Sequence, residues 1–271
     1  MTERLTTLKA VKEWLGIDAT NTASDAALIR VIDAASQFAL GYMNRDSLQA
    51  VEYTQNFRGN GKQSMLLRNW PVISVRSVGI MGSLVGPAMI GQGGMPRGGY
   101  TISDLRDAPQ SLDLYDFWFH YRAPCQVIYT AGFETSQTST IPTPVDPEPY
   151  GVISPTKMGQ WTYDLGVTIN GVDAVLVPDS PVSGEYATDG WGTYYFSPDD
   201  ATQTAVISYC YAPWDLAFGV TQTIGEWYKR KERIGLLSKT LGGQETVSFT
   251  NADLNDAVKS MIQPYRNVVP A

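Results

Sequence analysis

The sequence has little of the side-chain chemistry that most enzymes and metal proteins depend on. It contains one histidine, His120, and two cysteines, Cys125 and Cys210, among 271 residues. A Ser-His-Asp triad or a histidine-rich metal site would have to use that single imidazole, which lies in an aromatic run that we predict to be a strand. Two cysteines inside predicted strands do not form a disulfide framework, so we expect buried free thiols. We predict no catalytic residue, no cofactor and no metal site.

Long hydrophobic runs and an excess of positive charge are also missing. No apolar run approaches the length of a membrane span, and the N-terminus has no signal-peptide pattern, so we expect a soluble protein made in the cytosol, with no membrane partner. The formal net charge of −7 argues against a protein that holds nucleic acid by its overall field. Residues 134–212 hold ten acidic residues and one basic residue, whereas the rest of the chain carries +2. This difference in charge between residues 134–212 and the rest of the chain indicates two structural units.

Hydrophobic periodicity predicts an α+β protein. Four helices are predicted, one after an N-cap at Thr6 or Thr7, one after Ser24, one from Pro213 and one after Asn251. Gly59 to Gly61 gives a turn signal, so the strands on either side of it are predicted to form a hairpin. The glycine-rich residues 82–99 favour a flexible loop. The strands are predicted at residues 51–57, 65–67, 72–78, 100–105, 112–121, 126–131, 167–169, 174–177, 193–196 and 205–211.

Four prolines and many Ser and Thr residues in 135–149 predict an extended linker, and we place a domain boundary there. The predicted fold class is therefore a helical body with a β-sheet portion and an inserted small antiparallel all-β domain. Residues 1–133 hold the first helices and the sheet, residues 134–212 the acidic β insert, and residues 213–271 a long helix, a loop, a last helix and an apolar tail. An apolar terminus is easier to explain if it docks on another surface.

Three patterns that could indicate chemistry have simpler explanations. Gly61-Lys62 lacks the glycine and the hydroxyl that a phosphate loop needs around it, so a turn explains it better. Residues 91–96 lack the third glycine and the βαβ context of a dinucleotide site. Carboxylate pairs and aromatics could serve a glycosidase, but turn capping and a small β core account for them more simply. The pairs are Asp113 with Asp116 and Asp199 with Asp200; the aromatics are Trp161, Trp191, Tyr194 and Tyr195.

A basic cluster near the end of the third predicted helix suits the helix dipole, and it could also contact phosphates or an acidic surface of a neighbouring subunit. The cluster consists of Lys229, Arg230, Lys231 and Arg233.

Several segments resemble the head–tail connector (adaptor, or head-completion) proteins of long-tailed bacteriophages. The order of these segments along the chain carries the resemblance more than any single motif, and it extends over about residues 4–133 and 213–269. The segments are 5–17 (LTTLKAVKEWLGI), the helix after Ser24, 66–75 (LLRNWPVISV), 129–133 (YTAGF), 226–235 (EWYKRKERIG), 243–249 (GQETVSF) and 264–266 (PYR). The 134–212 insert departs from the shortest family members.

The resemblance implies a structural virion protein at the head–tail junction, assembled in the host cytoplasm. It implies a homo-oligomeric ring, a dodecamer in the virion, that lies below the portal protein and supports a downstream neck or tail (stopper) protein. Genomic DNA would pass through the ring without sequence-specific binding. Alternatives are another neck or baseplate component, or a virion protein with a carbohydrate-active insert. Cyclic rings need two different faces per subunit, for which we expect the helix at 213–235 and the loop at 236–249. The last helix and tail, residues 251–271, would dock on the portal, and the acidic insert would face outward or tailward. The predicted portal or ring interface consists of Lys229, Arg230, Arg233, Leu254, Val258, Met261, Tyr265 and Arg266.

Overall fold

A computed structural model describes residues 3–91, 93–104, 108–145, 149–230, 238–241, 245–248 and 254–267, with the backbone alone for residues 230, 238–241 and 245–248. Its α-helices are α1 (Leu8–Leu15), α2 (Asp25–Tyr42), α3 (Trp214–Arg230) and α4 (Asp256–Ile262). Its strands are β1 (Val51–Arg58), β2 (Ser64–Leu66), β3 (Val72–Ile80), β4 (Ser83–Val85), β5 (Met89–Ile90), β6 (Pro96–Arg97), β7 (Gly99–Ile102), β8 (Ser111–Tyr115), β9 (Pro124–Ala131), β10 (Glu134–Thr140), β11 (Gly151–Ile153), β12 (Gly159–Ile169), β13 (Val172–Asp173), β14 (Val175–Leu176), β15 (Glu185–Thr188), β16 (Tyr194–Phe196), β17 (Thr204–Pro213), β18 (Ser238–Leu241) and β19 (Glu245–Ser248).

The chain divides into two compact units. Unit 1 comprises Met1–Tyr42 and Thr135–Pro264, and unit 2 comprises Met43–Glu134 and Tyr265–Ala271. The change of unit at residue 134 coincides with the predicted start of the insert. The first helices, however, group with the insert and with α3 and α4, and the tail groups with unit 2, whereas the three predicted segments separate them. The α+β class itself is confirmed, with mainly antiparallel sheets.

The helices of unit 1 pack around α3, which contacts α1, α2 and α4. Thr7 caps α1 by accepting the N–H of Ala10, and Gly16 ends the helix in the left-handed conformation, as the sequence predicts. Thr6 instead exchanges a hydrogen bond with Thr221 of α3 at 2.7 Å. Apolar side chains at helical spacing are buried between the helices because each stripe needs a partner surface. They are Val11, Leu28, Ile32, Leu216, Val220, Ile224 and Val258. None of the described helices is both long enough and apolar enough to span a membrane.

Two four-stranded sheets complete the described β structure of unit 1, apart from the short β18–β19 pair. One sheet has the order β10-β17-β12-β13 and the other β11-β16-β15-β14, in which β14 and β15 are parallel. The long β12 and β17 pair antiparallel from Gly159 opposite Pro213 to Ile169 opposite Ala205. Side chains from both sheets form one core that includes Trp161, Tyr194, Phe196, Ile207 and Tyr209.

Unit 2 contains the orders β1-β9-β3-β4 and β2-β8-β7, with a separate β5–β6 pair. Its core includes Leu112 of β8, Val127 and Tyr129 of β9, and Leu67 and Phe119 from the segments between strands. Cys125 of β9 is buried here, and Cys210 of β17 is buried in unit 1; both are free thiols, as predicted. The alternation of buried and exposed residues along β9 is the pattern of a strand with one face on the core.

Several local predictions are wrong. β1 pairs with β9, and β2 pairs with β8, so no hairpin joins them across Gly59 to Gly61. The predicted flexible loop at 82–99 contains β4, β5 and β6. His120 is exposed in a turn after β8, because that strand ends at Tyr115. The predicted Pro-rich linker begins with β10. Asn251 lies outside the described residues, and the N-cap of α4 is Asn255, whose side chain accepts from Val258 N at 2.7 Å.

Candidate assembly surfaces

The predicted interface residues fall into exposed, buried and undescribed groups. Lys229 is exposed near the C-terminal end of α3, and Arg266 is exposed just before the chain leaves the described region. Arg230 ends α3, but its side chain lies outside the described part, and Arg233 lies outside the described residues altogether. Of the four basic residues in the predicted interface, therefore, Lys229 and Arg266 are the two whose described side chains lie on a surface.

The apolar members of the predicted interface pack within unit 1. Leu254 and Val258 are buried. Met261 lies opposite Gly219 of α3, where a Cβ built on the glycine would be 3.5 Å from the Met261 Cβ. Asn255 Nδ2 also donates to Glu226 Oε1 of α3 at 2.6 Å. In this structure these contacts hold α4 on α3, and a partner could reach Leu254 and Val258 only if this packing opened.

The tail docks on unit 2 through a buried cluster. Arg45 donates from Nε to the carbonyl of Tyr265 and from Nη1 to the carbonyl of Trp70, both at 2.6 Å. Its guanidinium lies 4.4 Å from the centre of the Trp70 ring, within cation–π range. The Tyr265 ring lies 6.4 Å from Trp70 and 5.9 Å from Phe133. Tyr265, predicted to face a partner, therefore completes an internal aromatic cluster.

Asn267 fixes the end of the described tail. Its backbone N–H donates to the Met43 carbonyl at 2.8 Å, and its side-chain Nδ2 donates to the Asn44 carbonyl at 3.2 Å and to Asn69 Oδ1 at 2.8 Å. Sequence reasoning missed both Arg45 and Asn267. The sequence did offer one signal for Asn267, which is an amide side chain within an apolar tail. If such a tail is buried, the amide needs hydrogen-bond partners inside the protein.

A groove on unit 1 is lined by exposed aromatic side chains. It has a volume of about 370 Å³, and its lining includes Ala10, Trp14, Trp214, Ala217 and Phe218. The rings of Trp14 and Phe218 meet edge to face, with centroids 5.2 Å apart. Trp14, Trp214 and Phe218 are each between 41% and 49% exposed, so water contacts nearly half of each side chain. We call this surface the aromatic groove.

A second apolar surface lies on the glycine-rich part of unit 2. Its five large apolar side chains are between 63% and 80% exposed, which is unusual for so many within fifteen residues. They flank or belong to the short strands β4, β5 and β6. We call this surface the apolar segment; it consists of Met81, Leu84, Met89, Ile90 and Met95.

The acidic sheet region contains a polar network with a structural role. Asp164 of β12 accepts the hydroxyls of Tyr186 at 2.6 Å and Tyr194 at 2.8 Å. Tyr194 in turn accepts the indole N–H of Trp161 at 2.9 Å. Burial, followed by the hydrogen bond from Asp164 and its charge, raises the pKa of Tyr186. Burial and the charge of Asp164 raise the pKa of Tyr194. These hydroxyls keep their protons and bind Asp164.

Two of the residues considered for sugar chemistry also make contacts within the protein. Asp200 is buried and accepts from Ser183 Oγ at 2.7 Å and from Gly184 N at 2.9 Å, which holds a turn. Trp191 lies beneath the guanidinium of Arg4, 4.6 Å from its ring centre. Within the described ranges, no three His, Cys, Asp or Glu side chains are grouped closely enough to hold a metal ion.

Unit 1 with its groove and unit 2 with its apolar segment thus have the features of a protein that assembles with others. A family model described as head completion protein (HCP) matches residues 4–107. That match confirms, over those residues, the resemblance to head–tail connector proteins that the motif order indicates.

Among the solved structures that match, one aligns with nearly the whole chain. It is titled "Neck of empty GTA particle computed with C6 symmetry"; the alignment covers 98% of this chain and 95% of that chain, at 12% sequence identity and a TM-score of 0.37. A TM-score of 0.37 is below the range that indicates a shared fold. No curated protein matches the sequence.

Proposed function

We propose that the protein is a structural, non-enzymatic subunit of the head–tail connector of a tailed bacteriophage. The observation that carries this proposal is the match of residues 4–107 to the head completion family. Asp200, one of the carboxylates that could have supported an enzyme, instead holds a turn. The place of action is the head–tail junction of the virion.

The arrangement that we propose is a homo-oligomeric ring, a dodecamer in the virion, below the portal protein. The ring extends the DNA channel and supports a downstream neck or tail protein. Two features of the described surface support assembly. A heterologous ring interface needs two different faces on each subunit, and the aromatic groove and the apolar segment are two exposed apolar surfaces of different composition. Exposed apolar surfaces often mark interaction sites.

Electron microscopy of the virion neck tests the proposal most directly. The expected result is a ring of this chain in contact with the portal. A ring that contacts the tail tube or baseplate but not the portal would favour the alternative, a different neck or baseplate component. No ring of this chain in the virion would contradict both.

The proposed portal contact can be tested by substitution at the exposed members of the predicted interface. Deleting the tail would also remove Tyr265 and Asn267 from the packing of unit 2, so a loss of binding would be ambiguous. The variant Lys229→Glu with Arg266→Glu changes exposed side chains only. We expect it to weaken co-purification with the portal, whereas Lys9→Glu with Arg30→Glu, the matched control, should bind normally. Equal binding by both variants would remove Lys229 and Arg266 from the interface.

A further inference from the structure

Two loops of unit 2 form one platform. The first, residues 58–62, begins at the last residue of β1, and the second, residues 116–122, lies between β8 and β9. Backbone hydrogen bonds join them from Gly61 N to Phe119 O at 2.7 Å, from Phe119 N to Lys62 O at 2.9 Å and from Arg122 N to Gly59 O at 2.8 Å. Phe119 is buried beneath them and meets Phe57 edge to face at 5.5 Å. These backbone hydrogen bonds therefore fix the two loops relative to each other.

Gly59 allows this close contact between the loops. A Cβ built at this position would lie 2.1 Å from the carbonyl oxygen of His120 and 2.6 Å from that of Phe119. Both atoms belong to the backbone, so no side-chain rotation could relieve the contact. The platform thus depends on a glycine where the two loops cross.

The platform carries three cations, Arg58, Lys62 and Arg122, and all three are exposed. None of them has a carboxylate within ion-pair distance among the described residues. Arg58 Nη1 donates to the backbone carbonyl of Arg122 at 3.3 Å, so the Arg58 guanidinium lies beside the second loop. Asp116 is the acidic residue of the two loops, and its Oδ2 accepts the N–H of Gly98 at 3.0 Å. The charge of the platform is positive.

The second loop also carries three exposed aromatic side chains. Phe117, Trp118 and Tyr121 are 43%, 49% and 71% exposed. The Arg122 guanidinium lies 5.3 Å from the centre of the Tyr121 ring. These three side chains face water, whereas Phe119 and Tyr129 of the unit 2 core are buried.

The charge of the surroundings agrees with a polyanionic ligand. Unit 2 contains nine basic and seven acidic residues, whereas unit 1 contains eleven basic and twenty acidic residues. The net charge of −7 therefore hides a unit with a charge of +2. A nucleic acid that is repelled by unit 1 as a whole meets no such net repulsion from unit 2.

We propose that this cationic and aromatic platform binds nucleic acid without sequence specificity. The three cations contact backbone phosphates, and Trp118 and Tyr121 stack on unpaired bases. Cations that follow a backbone together with aromatics that stack on bases are the recurring components of single-strand binding surfaces. The proposal rests on this geometry and charge alone, so it stands or falls separately from the connector ring.

The test uses the full chain and fluorescence anisotropy with two labelled DNA probes of mixed sequence, a single strand and a duplex. Because each phosphate contact releases counterions, three contacts predict that duplex affinity falls about 40-fold between about 50 and 200 mM salt. The corresponding loss for the single strand is about 20-fold, from the smaller slope of single strands. Binding of neither probe at about 50 mM salt would overturn the proposal.

Two triple variants with the same change of net charge separate the platform from general electrostatics. The platform variant is Arg58→Gln, Lys62→Gln and Arg122→Asn; asparagine suits the left-handed backbone at position 122, where φ is 61°. The control variant is Lys9→Gln, Arg30→Gln and Lys157→Gln, which are exposed residues of unit 1. We expect the platform variant to lose the salt-dependent binding and the control to keep it. Equal affinities for the two variants would overturn the proposal.

Two further variants protect the test against misfolding and test the stacking. Lys62→Gln alone changes one exposed side chain and should lower the salt slope by about one phosphate contact.

Trp118→Ala with Tyr121→Ala should weaken single-strand binding at least about five-fold and leave duplex binding nearly unchanged. An equal loss for both probes would contradict stacking. Tighter binding to anionic vesicles or an acidic peptide than to either DNA probe would assign the platform to a different partner.

Discussion

At the scale of single residues, Arg45 shows how a buried cation is held in unit 2. Its side chain is 5% exposed, yet it bonds two backbone carbonyls and lies over the Trp70 ring. A planar guanidinium can donate in two directions and stack at once, which a lysine ammonium cannot do. Arg45 thereby joins the start of unit 2 to Tyr265, more than two hundred residues later in the chain.

Asn267 should contribute measurably to the stability of unit 2. We expect Asn267→Ala to lower the free energy of unfolding by about 1–3 kcal/mol, because Asn44 O and Asn69 Oδ1 lose their donor in a buried place. Urea unfolding measures the difference. The neighbouring Arg266→Ala, at an exposed side chain, is the control and should change stability little. Equal effects would mean that the Asn267 side chain contributes no more than a surface residue.

Gly59 should be far more sensitive to a methyl group than Gly79. We expect Gly59→Ala to destabilise the protein by about 2 kcal/mol or more, because the new Cβ meets the His120 backbone. At Gly79 of β3 the nearest atom to such a Cβ is Gln126 O at 3.8 Å, which is ordinary contact. Gly79→Ala should therefore be neutral or slightly stabilising. Thermal unfolding of the two variants provides the comparison, and similar melting temperatures would contradict the close approach at Gly59.

At the scale of elements, Asp164 joins the two sheets of unit 1. It lies on β12, whereas Tyr186 and Tyr194 lie on β15 and β16 of the other sheet. The raised pKa of each tyrosine means that the folded state holds these protons more tightly than the unfolded state does. The stabilisation is fully present below the usual tyrosine value of 10.0 and is lost as the pH rises above it.

Alkaline unfolding tests this pairing of sheets. We expect the wild-type protein to lose stability above about pH 10, and Tyr186→Phe to show a shallower loss because one of the linked protons is gone. Tyr121→Phe is the matched control, since that tyrosine is exposed on a loop of unit 2. Stability measured by urea midpoints across the alkaline range gives the slopes. The idea fails if the slope for Tyr186→Phe is the same as for the wild type.

At the scale of the whole molecule, the proposed ring makes a prediction for each apolar surface. We expect Trp214→Gln in the aromatic groove, and Leu84→Gln with Ile90→Gln in the apolar segment, each to reduce oligomer formation by the purified protein. Both sets replace exposed side chains, so folding should be retained. Val182→Gln, an exposed apolar residue of unit 1 outside both surfaces, is the control.

Mass photometry of the separate and mixed variants distinguishes the type of interface. If the two surfaces are the two faces of a heterologous contact, each variant keeps one intact face, and a mixture should form dimers that cannot grow. Oligomers of wild-type size in both variants would exclude both surfaces from the interface. Control oligomers smaller than those of the wild type would point to general loss of apolar surface instead.

Local signals in the sequence predicted much of the secondary structure. Thr7 and Gly16 bound α1 because capping depends on neighbouring residues. The β-branched run at β3 and the alternation along β9 were likewise predicted, since each requires only a strand with one buried face. Strand pairing was not predictable in this way: the turn at Gly59 to Gly61 indicated a hairpin, but β1 and β2 pair with strands much later in the chain.

In the predicted interface, too, local pattern was read correctly but the contacts between distant residues were not. Leu254 and Val258 have the spacing of an apolar helix face, and spacing cannot tell a face that meets α3 from one that meets a partner. Arg45 and Asn267 were missed because their partners are distant in sequence. His120 was placed in a strand because its aromatic neighbours favour one, although the chain turns at Asp116, where φ is 66°.

The α+β class, the caps of α1, the buried thiols and the resemblance to head–tail connector proteins could all be predicted from the sequence. Each of these depends on composition or on residues within a few positions of one another, or on the order of short motifs. Tertiary structure alone decided that the tail folds onto unit 2, that Asp164 joins two sheets, and that Arg58, Lys62 and Arg122 share one platform. These results require contacts between residues far apart in the chain, which packing selects and local pattern does not specify.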